Sequence, residues 1–322
     1  MTRASDISAM ILCLGTTPTM QRTMLFERVR IDGVNRATEV REYPSGKSVN
    51  VAKVLRTLGH NPLATGFIGG SRGALLKEHL DREGVATDFV TVSQQTRLCS
   101  TVIDQSSGQV TEFVEESQPI APEDWDQLNQ RLEVLLPRAS TWVFSGSIAP
   151  GAPKDFYTHW LGRFRGKNPQ VIVDARGEPL REALRQPGVV AKCNREEFEG
   201  TIGKTLGDEA SLRHEMEQAT PQGGALVITL GRDGAIAYEM GKFWRVRTPP
   251  IKSVSAVGSG DAFAAGLAAG RHRAGGVPGD PRAALALAAA CGAANAMTTD
   301  SGWVRPLDLG EILPKVTVDV LD

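Results

Sequence analysis

Short runs of hydrophobic residues alternate with longer segments of helical periodicity along most of this 322-residue chain. This alternation is typical of β-α-β units, in which parallel strands form one sheet and helices cover its faces. Buried strands are predicted at residues 9–14, 63–68, 141–144, 171–173, 189–191 and 225–230. Helices are predicted at residues 49–58, 74–82, 124–136, 155–165, 196–202, 260–274 and 281–297. We therefore expect an α/β fold with a central, mainly parallel sheet flanked by helices.

Two stretches, residues 23–43 and 96–113, alternate polar and hydrophobic positions instead. A period of two favours strands with one exposed face, as in antiparallel sheets that are open to water. We expect the two insertions to form a small antiparallel sheet that acts as a lid beside the main sheet. Because no long linker interrupts the sequence, residues 1–322 are expected to form a single domain with this lid.

Composition and charge exclude several classes of function. The chain has 36 Lys and Arg against 37 Asp and Glu, a net charge of −1, so it carries no excess of positive charge for nucleic acid or an anionic membrane. The longest hydrophobic run, 283–297, is shorter than the ~20 residues of a membrane span. The four cysteines lie far apart, and the N-terminus lacks the pattern of a signal peptide. A cytoplasmic protein is expected, with neither nucleic acid nor membrane as a partner.

A cluster of glycines lies at residues 255–263, just before the predicted helix 260–274. Gly258, Ser259 and Gly260 could direct backbone N–H groups at an anion, and the helix dipole would add to the attraction. Asp261 would repel that anion, so it is better explained as a base that removes a proton from an attacking nucleophile. The structural alternative is a first-turn carboxylate that the helix dipole favours.

Two familiar nucleotide-binding motifs do not fit the chain. The dinucleotide motif G-x-G-x-x-G would need a third glycine where Phe263 stands. The P-loop motif G-x-x-x-x-G-K-[ST] would need a glycine at Arg41, although Gly46-Lys47-Ser48 supplies its end. Both classes of nucleotide site are excluded on these grounds.

The segment Gly46-Lys47-Ser48-Val49-Asn50 leads into the first predicted helix. Lys47 and Asn50 would lie at the start of that helix, where an ammonium group and an amide can meet a sugar hydroxyl or a phosphate. The structural alternative is that Ser45 is simply the N-cap of the helix.

Two further segments follow predicted strands. Asn194 and Glu197 either form a capping box or organise the water shell of a Mg²⁺ ion on nucleotide phosphates. Thr229, Gly231 and Gly234 either line a ligand crevice at a strand end or form a tight turn.

Taken in chain order, these segments resemble the PfkB, or ribokinase-like, family of sugar kinases. The resemblance is strongest to the branch that acts on phosphorylated sugars, such as 1-phosphofructokinase and tagatose-6-phosphate kinase. Each motif is weak alone, but six in the right order cover nearly the whole chain. They are residues 33–36, 45–52, 145–151, 174–178, 192–197 and 256–266.

The resemblance implies a ribokinase-like fold and ATP-dependent phosphoryl transfer, with Mg²⁺, to a hydroxyl of a phosphorylated hexose. Asp261 would be the base, and residues 258–260 would form the anion hole. The implied nucleotide site comprises Asn194, Glu197, Thr229, Gly231, Gly234 and Asn295, with Glu197 holding the magnesium ion through water. The implied sugar site comprises Gln21, Gly46, Lys47, Asn50 and Arg97. The family also implies a homodimer formed through the lid.

The implied sugar site departs from the family pattern. Gln21 stands where the family has an aspartate that grips sugar hydroxyls, and Ser45 and Ser48 replace two glycines. Glutamine cannot form a charge-assisted bond of ~1.5–3 kcal/mol, so recognition of the usual sugar should be about 10- to 150-fold weaker. Two alternatives therefore stay open: a kinase of an unphosphorylated sugar or nucleoside, and a sugar-phosphate-binding regulator with little turnover.

Overall fold

A computed structural model describes residues 10–163, 170–220, 224–272 and 281–321 of the chain. Its strands are β1 Met10–Leu14, β2 Thr19–Phe26, β3 Glu39–Ser45, β4 Asn61–Gly69, β5 Ala86–Val92, β6 Arg97–Asp104, β7 Gln109–Val114, β8 Ala139–Ser145, β9 Gln170–Asp174, β10 Val189–Asn194, β11 Ala225–Thr229, β12 Ala235–Glu239, β13 Lys242–Arg247 and β14 Thr317–Leu321. Its α-helices are α1 Lys47–Thr57, α2 Gly70–Arg82, α3 Pro122–Leu135, α4 Phe156–Gly162, α5 Glu178–Leu184, α6 Arg195–Ile202, α7 Glu209–Ala219, α8 Ser259–Arg271, α9 Pro281–Ala296 and α10 Pro306–Ile312.

The main sheet has ten strands in the order β14-β13-β12-β11-β10-β9-β8-β1-β4-β5. The seven strands from β11 to β5 run parallel, and β12, β13 and β14 extend the sheet with antiparallel pairs. Helices α1, α2, α8, α9 and α10 bury their hydrophobic residues against one face, while α3 to α7 cover the other. The predicted α/β fold with a mainly parallel sheet is confirmed.

All the predicted strands and helices are present within the described residues, with ends that shift by up to four positions. Residue 9 and residues 164, 165, 273 and 274, at the ends of three of them, lie outside the described part. Sequence periodicity missed β5, β12, β13 and β14, which have partly exposed residues, and it also missed helices α5, α7 and α10. These strands and helices bury few residues each, so their hydrophobic pattern is short.

The second sheet, hereafter the small sheet, has the order β3-β2-β6-β7. Its two hairpins are antiparallel, but the central strands β2 and β6 run parallel to each other. The prediction of a purely antiparallel sheet is therefore wrong. The reason is topological: β2 follows β1 and β6 follows β5, so both enter the small sheet from the same edge of the main sheet and in the same direction.

The site is positioned by the carboxyl ends of the central strands and by the starts of α1 and α8. These two helices pack against each other on the same face of the sheet. Helix α8 also lies very close to α9: a Cβ atom at Gly266 would be only 2.7 Å from the Ala288 Cα atom. In the described part of the chain, none of the helices is both long enough and apolar enough to cross a membrane.

Candidate active site

Residues 258–260, for which the sequence predicts anion binding, lie at the start of α8. Gly258 has a φ of +80°, and a Cβ atom there would lie 2.6 Å from the Ser301 Cβ atom. At Gly260 a Cβ atom would lie 2.9 Å from the Lys192 Nζ atom. Position 258 therefore needs glycine, and the Lys192 ammonium group lies beside Gly260 at the start of the helix. This combination suits a phosphate group.

Asp261 lies in the first turn of α8 and is buried, with 7% of its surface exposed. Its Oδ2 atom accepts a hydrogen bond of 2.7 Å from Asn50 Nδ2. Burial raises the pKa of Asp261 to about 6, although the charge of Lys47 and the Asn50 bond oppose the shift. A carboxylate present only to satisfy the helix dipole would have a lowered pKa. Asp261 is therefore a buried, hydrogen-bonded carboxylate whose charged form is disfavoured by its surroundings.

A cluster of charged side chains lies next to Asp261. Asp174 is fully buried at the end of β9, and its carboxylate is 3.2 Å from Lys192 Nζ and 3.7 Å from Lys47 Nζ. Burial alone would raise the pKa of Asp174, but the two lysines outweigh it and lower the pKa. Lys47 also contacts Glu197 at 3.2 Å, and the carboxylates, Asp174 foremost, raise the pKa of Lys47. Both carboxylate partners thus keep Lys47 charged in a partly buried place.

Asp174 and Lys192 were not among the site residues that the sequence predicts. Each lies at or near the carboxyl end of a predicted buried strand, and the two are register partners across β9 and β10. A charged residue directly after a hydrophobic strand run is the signal that could have identified both.

The capping-box interpretation of Asn194 and Glu197 is confirmed. The Asn194 side chain accepts from the Glu197 N–H at 2.7 Å, and the Glu197 carboxylate accepts from the Asn194 N–H at 3.0 Å. Among the described residues, no three His, Cys, Asp or Glu side chains group as metal ligands. Mg²⁺ prefers to keep several of its own water molecules, so a site for it would not need such a group of ligands.

The other predicted nucleotide residues lie at the end of β11. Thr229 is the register partner of Asn194, so the two segments are neighbours. Gly231 has a φ of +61°, and a Cβ atom there would meet no described atom within 4 Å, which leaves room for a ligand. Gly234 has a different reason to be glycine: a Cβ atom would lie 2.0 Å from the Val246 carbonyl oxygen, so the tight turn itself requires it.

Asn295 lies behind the anion-binding turn. It is fully buried, donates to the Val257 carbonyl at 2.8 Å and accepts from the Trp303 N–H at 3.2 Å. Both the nitrogen and the oxygen of the Asn295 amide are thus hydrogen-bonded to backbone groups. Asn295 therefore stabilises the turn at residues 258–260 from behind.

Gly46 precedes α1 with a φ of +101°, and a Cβ atom there would lie 2.9 Å from the Pro18 Cα atom. It is also the N-cap residue, and no side chain caps this helix among the described residues. The alternative that Ser45 is the N-cap is therefore wrong. The Ser45 hydroxyl instead contacts Asn50 Oδ1 at 3.1 Å and Ser301 Oγ at 2.8 Å.

Gln21 and Arg97 both lie in the small sheet. Gln21 is buried in β2 and donates from Nε2 to the Thr101 hydroxyl at 2.8 Å. Arg97 opens β6, and its guanidinium donates to the backbone carbonyls of Thr17 at 2.9 Å and Glu115 at 3.1 Å. The structure thus brings Lys47 and Asn50 next to Asp261, while Gln21 and Arg97 are bound to small-sheet and loop partners.

The sequence pattern of the pfkB family of carbohydrate kinases matches residues 8–303. The match spans most of the chain, so this protein belongs to the pfkB family and is a sugar kinase by family.

Solved structures share the fold over nearly the whole chain. A Staphylococcus aureus protein provisionally described as a phosphofructokinase is 27% identical, with a TM-score of 0.77, and 97% of this chain and 99% of that one are covered. Escherichia coli phosphofructokinase-2 in complex with fructose-6-phosphate is 23% identical, with a TM-score of 0.83 and coverage of 95% and 98%. A Thermotoga maritima protein described as a possible 1-phosphofructokinase is 22% identical, with a TM-score of 0.85 and coverage of 97% and 100%.

Proposed function

We propose that this protein transfers the γ-phosphoryl group of ATP to a hydroxyl of a phosphorylated hexose. The observation that carries the proposal is the position of Asp261, a buried carboxylate with a raised pKa in the turn that suits a phosphate. Simple binding of an anion gives no reason to place a carboxylate there. A base gives that reason, because the acceptor hydroxyl must lose a proton as its oxygen attacks phosphorus.

In this proposal the proton of the sugar hydroxyl moves to a carboxylate oxygen of Asp261. The hydroxyl oxygen bonds to the γ-phosphorus atom, and the bond from that atom to the bridging oxygen of ADP breaks. The N–H groups of Gly258 and Gly260 and the Lys192 ammonium stabilise the negative charge on the phosphoryl oxygens, while the Ser259 N–H donates to the Ala256 carbonyl at 3.1 Å. A pKa of about 6 leaves Asp261 deprotonated at neutral pH yet basic enough to accept the proton.

The nucleotide would lie along the ends of β10 and β11, beside Thr229 and Gly231. Glu197 and Asn194 would hold water molecules of a Mg²⁺ ion, which neutralises phosphate charge when it is bound. Gly234 and Asn295 would contribute by shaping the turns behind the nucleotide.

The sugar would lie between α1 and the small sheet, with its phosphate near Lys47 and the start of α1. An ammonium group at a helix N-terminus is a favourable place for a phosphate. Arg97 and Gln21 would reach the sugar from the small sheet. The name of the Escherichia coli relative, a phosphofructokinase in complex with fructose-6-phosphate, agrees with this substrate class.

We also propose that the chain acts as a single domain and pairs as a homodimer through the small sheet. The loop before β3 exposes Ile31 and Val34 to 92% and 81%. Asn35 fixes that loop with hydrogen bonds of 2.8 Å to both backbone groups of Arg30. The loop borders a groove of about 710 Å³, lined mainly by carbon atoms, that reaches Phe113 on β7. An exposed apolar surface of this kind is typical of a protein interface.

Turnover of ATP with a panel of acceptors tests the proposal. The panel comprises fructose 1-phosphate, fructose 6-phosphate, tagatose 6-phosphate, free hexoses, ribose and nucleosides. We expect the highest kcat/KM with one of the sugar phosphates and a loss of about 100-fold or more in the Asp261→Asn variant. Activity only with unphosphorylated acceptors would favour the alternative kinase. Binding of a sugar phosphate in calorimetry without product would favour the regulator.

A further inference from the structure

A buried chain of polar side chains leads away from Asp261. Asn50 donates from Nδ2 to Asp261 at 2.7 Å, and its Oδ1 atom accepts from the Ser45 hydroxyl at 3.1 Å. The Ser45 oxygen is in turn 2.8 Å from the Ser301 hydroxyl. Asn50, Ser45 and Ser301 are each at most 4% exposed, so water does not compete for these bonds.

The chain has a direction, because an amide oxygen can only accept hydrogen bonds. The Ser45 hydroxyl gives its one proton to Asn50 Oδ1, and it can then only accept from Ser301. With its oxygen held in this way, the Asn50 amide turns its NH₂ group toward Asp261. The opposite orientation would place two oxygen acceptors, of Asn50 and Asp261, against each other.

The far end of the chain is attached to the small sheet. The Ser301 N–H donates to the Tyr43 hydroxyl at 3.1 Å, and that hydroxyl is 2.9 Å from the Thr23 hydroxyl. The buried Lys53 ammonium lies 5.0 Å from the centre of the Tyr43 ring and donates to the Ser301 carbonyl at 3.4 Å. Ser301 is therefore fixed by contacts with β3 and α1, and the Tyr43 hydroxyl links it to Thr23 of β2.

We propose that Ser45 and Ser301 are positioning residues that orient the Asn50 amide toward Asp261 and so couple the small sheet to the base. This inference rests on the proposed function of Asp261. It also gives the Ser45 hydroxyl a role in the site. Ser45 is one of the positions where the chain departs from the family's glycine-rich loop.

The pH dependence of catalysis reports this role, because the Asn50 bond stabilises the charged form of Asp261 and lowers its pKa. The other charged groups near Asp261 are Lys47 on α1, Asp174 on β9 and Lys192 on β10.

Helix α9 packs closely on α8 as well, mainly through small apolar residues. Its titratable side chains are Arg282, which lies over the Trp244 ring, and Cys291. Burial raises the pKa of the Cys291 thiol to about 12, so this thiol stays protonated in the range that matters here.

The decisive variants are Ser45→Ala and Ser301→Ala. Each should move the acidic limb of the kcat/KM profile to higher pH by about half to one unit, and leave the KM for ATP unchanged. Because both act through one chain, the double variant should shift the limb no further than Ser45→Ala alone. Ser45→Thr, which keeps the hydroxyl, should restore the wild-type limb.

The matched control is Thr220→Val, which removes a buried hydroxyl at the C-terminal end of α7 that bonds to the Met216 carbonyl outside the site. It should keep the wild-type pH profile. If the limbs of both serine variants coincide with that of the control, the proposal is overturned, even if their stability is lower.

A spectroscopic titration separates this inference from the proposed function. The infrared band of the protonated Asp261 carboxyl, identified by its absence in Asp261→Asn, can be followed against pH without any substrate. We expect a higher midpoint in Ser45→Ala, and an unchanged midpoint would overturn the inference. An enzyme without phosphoryl transfer to any acceptor would instead overturn the proposed function, whatever this titration shows.

Discussion

At the scale of single residues, opposing effects act on the charge of the Asp261 side chain. The side chain is buried at the start of α8, and the loss of water around it makes its negative charge costly in free energy. Lys47, Lys192 and the Asn50 amide offset part of this cost, and the pKa still lies at about 6 instead of the ordinary 3.8. The folded state therefore binds a proton more tightly than the unfolded chain does.

This difference gives a prediction about stability. A group whose pKa is raised by folding destabilises the fold as the pH increases from its unfolded to its folded pKa, here from 3.8 to about 6. Asp261→Asn should therefore be the more stable protein above pH 6, by up to about 3 kcal/mol, because it removes the buried charge and keeps an oxygen for Asn50.

The difference in the free energy of unfolding between wild type and Asp261→Asn should shrink below pH 6. It should vanish below about pH 4, where Asp261 is protonated in both the folded and the unfolded wild type. Urea unfolding of the two proteins at pH 4, 5, 6 and 8 measures it. A constant difference at all four values would show that Asp261 is not the titrating group.

At the scale of elements, much of the site could be predicted from the sequence. Periodicity indicated α1, α8 and the central strands, and glycine positions marked the start of α8. The link from Asn50 through Ser45 to Ser301 could not be predicted, because Ser45 and Ser301 are 256 positions apart and Ser301 stands in no pattern. The direction of β6 was missed for a similar reason. The parallel pairing of β6 with β2 depends on how both strands leave the main sheet, and the alternation of polar and hydrophobic residues within β6 carries no information about that.

The contact between α8 and α9 gives a prediction at this scale. At Gly266 a Cβ atom would lie 2.7 Å from the Ala288 Cα atom, so Gly266→Ala should force the helices apart and destabilise the fold by about 1–3 kcal/mol. A Cβ atom at Gly310 in α10 would meet no described atom within 4 Å, which makes this glycine the matched control.

Gly310→Ala should stabilise the protein by about 0.5–1 kcal/mol, because alanine has the higher helix propensity. The urea midpoints of the two variants should thus move in opposite directions. Equal shifts would mean that helix packing does not require glycine at Gly266.

At the scale of the whole molecule, the main sheet and the small sheet differ in how they meet solvent. The central strands of the main sheet are covered by helices on both faces. The small sheet leaves Val40 and Phe113 exposed to 54% and 60%, next to the loop of Ile31 and Val34. The proposed dimer would cover this hydrophobic surface.

The double variant Ile31→Asp, Val34→Asp should therefore dissociate the dimer, because burying two carboxylates without partners is costly. Sedimentation velocity over a range of protein concentrations measures the change. Leu307→Asp is the matched control: Leu307 is 83% exposed in α10, and its loss should leave the dimer intact. A wild type that sediments as a monomer at every concentration would contradict the proposal.

The charged cluster around Asp174 has a consequence for any mutational study of this enzyme. Lys47 and Lys192 are suited to attract phosphate, and the same two charges lower the pKa of Asp261. Replacing either lysine by a neutral residue would weaken anion affinity and also make the base protonate at higher pH. The two lysines thus link affinity for the nucleotide or sugar phosphate to proton transfer, and assays at a single pH would merge the two effects into one apparent loss.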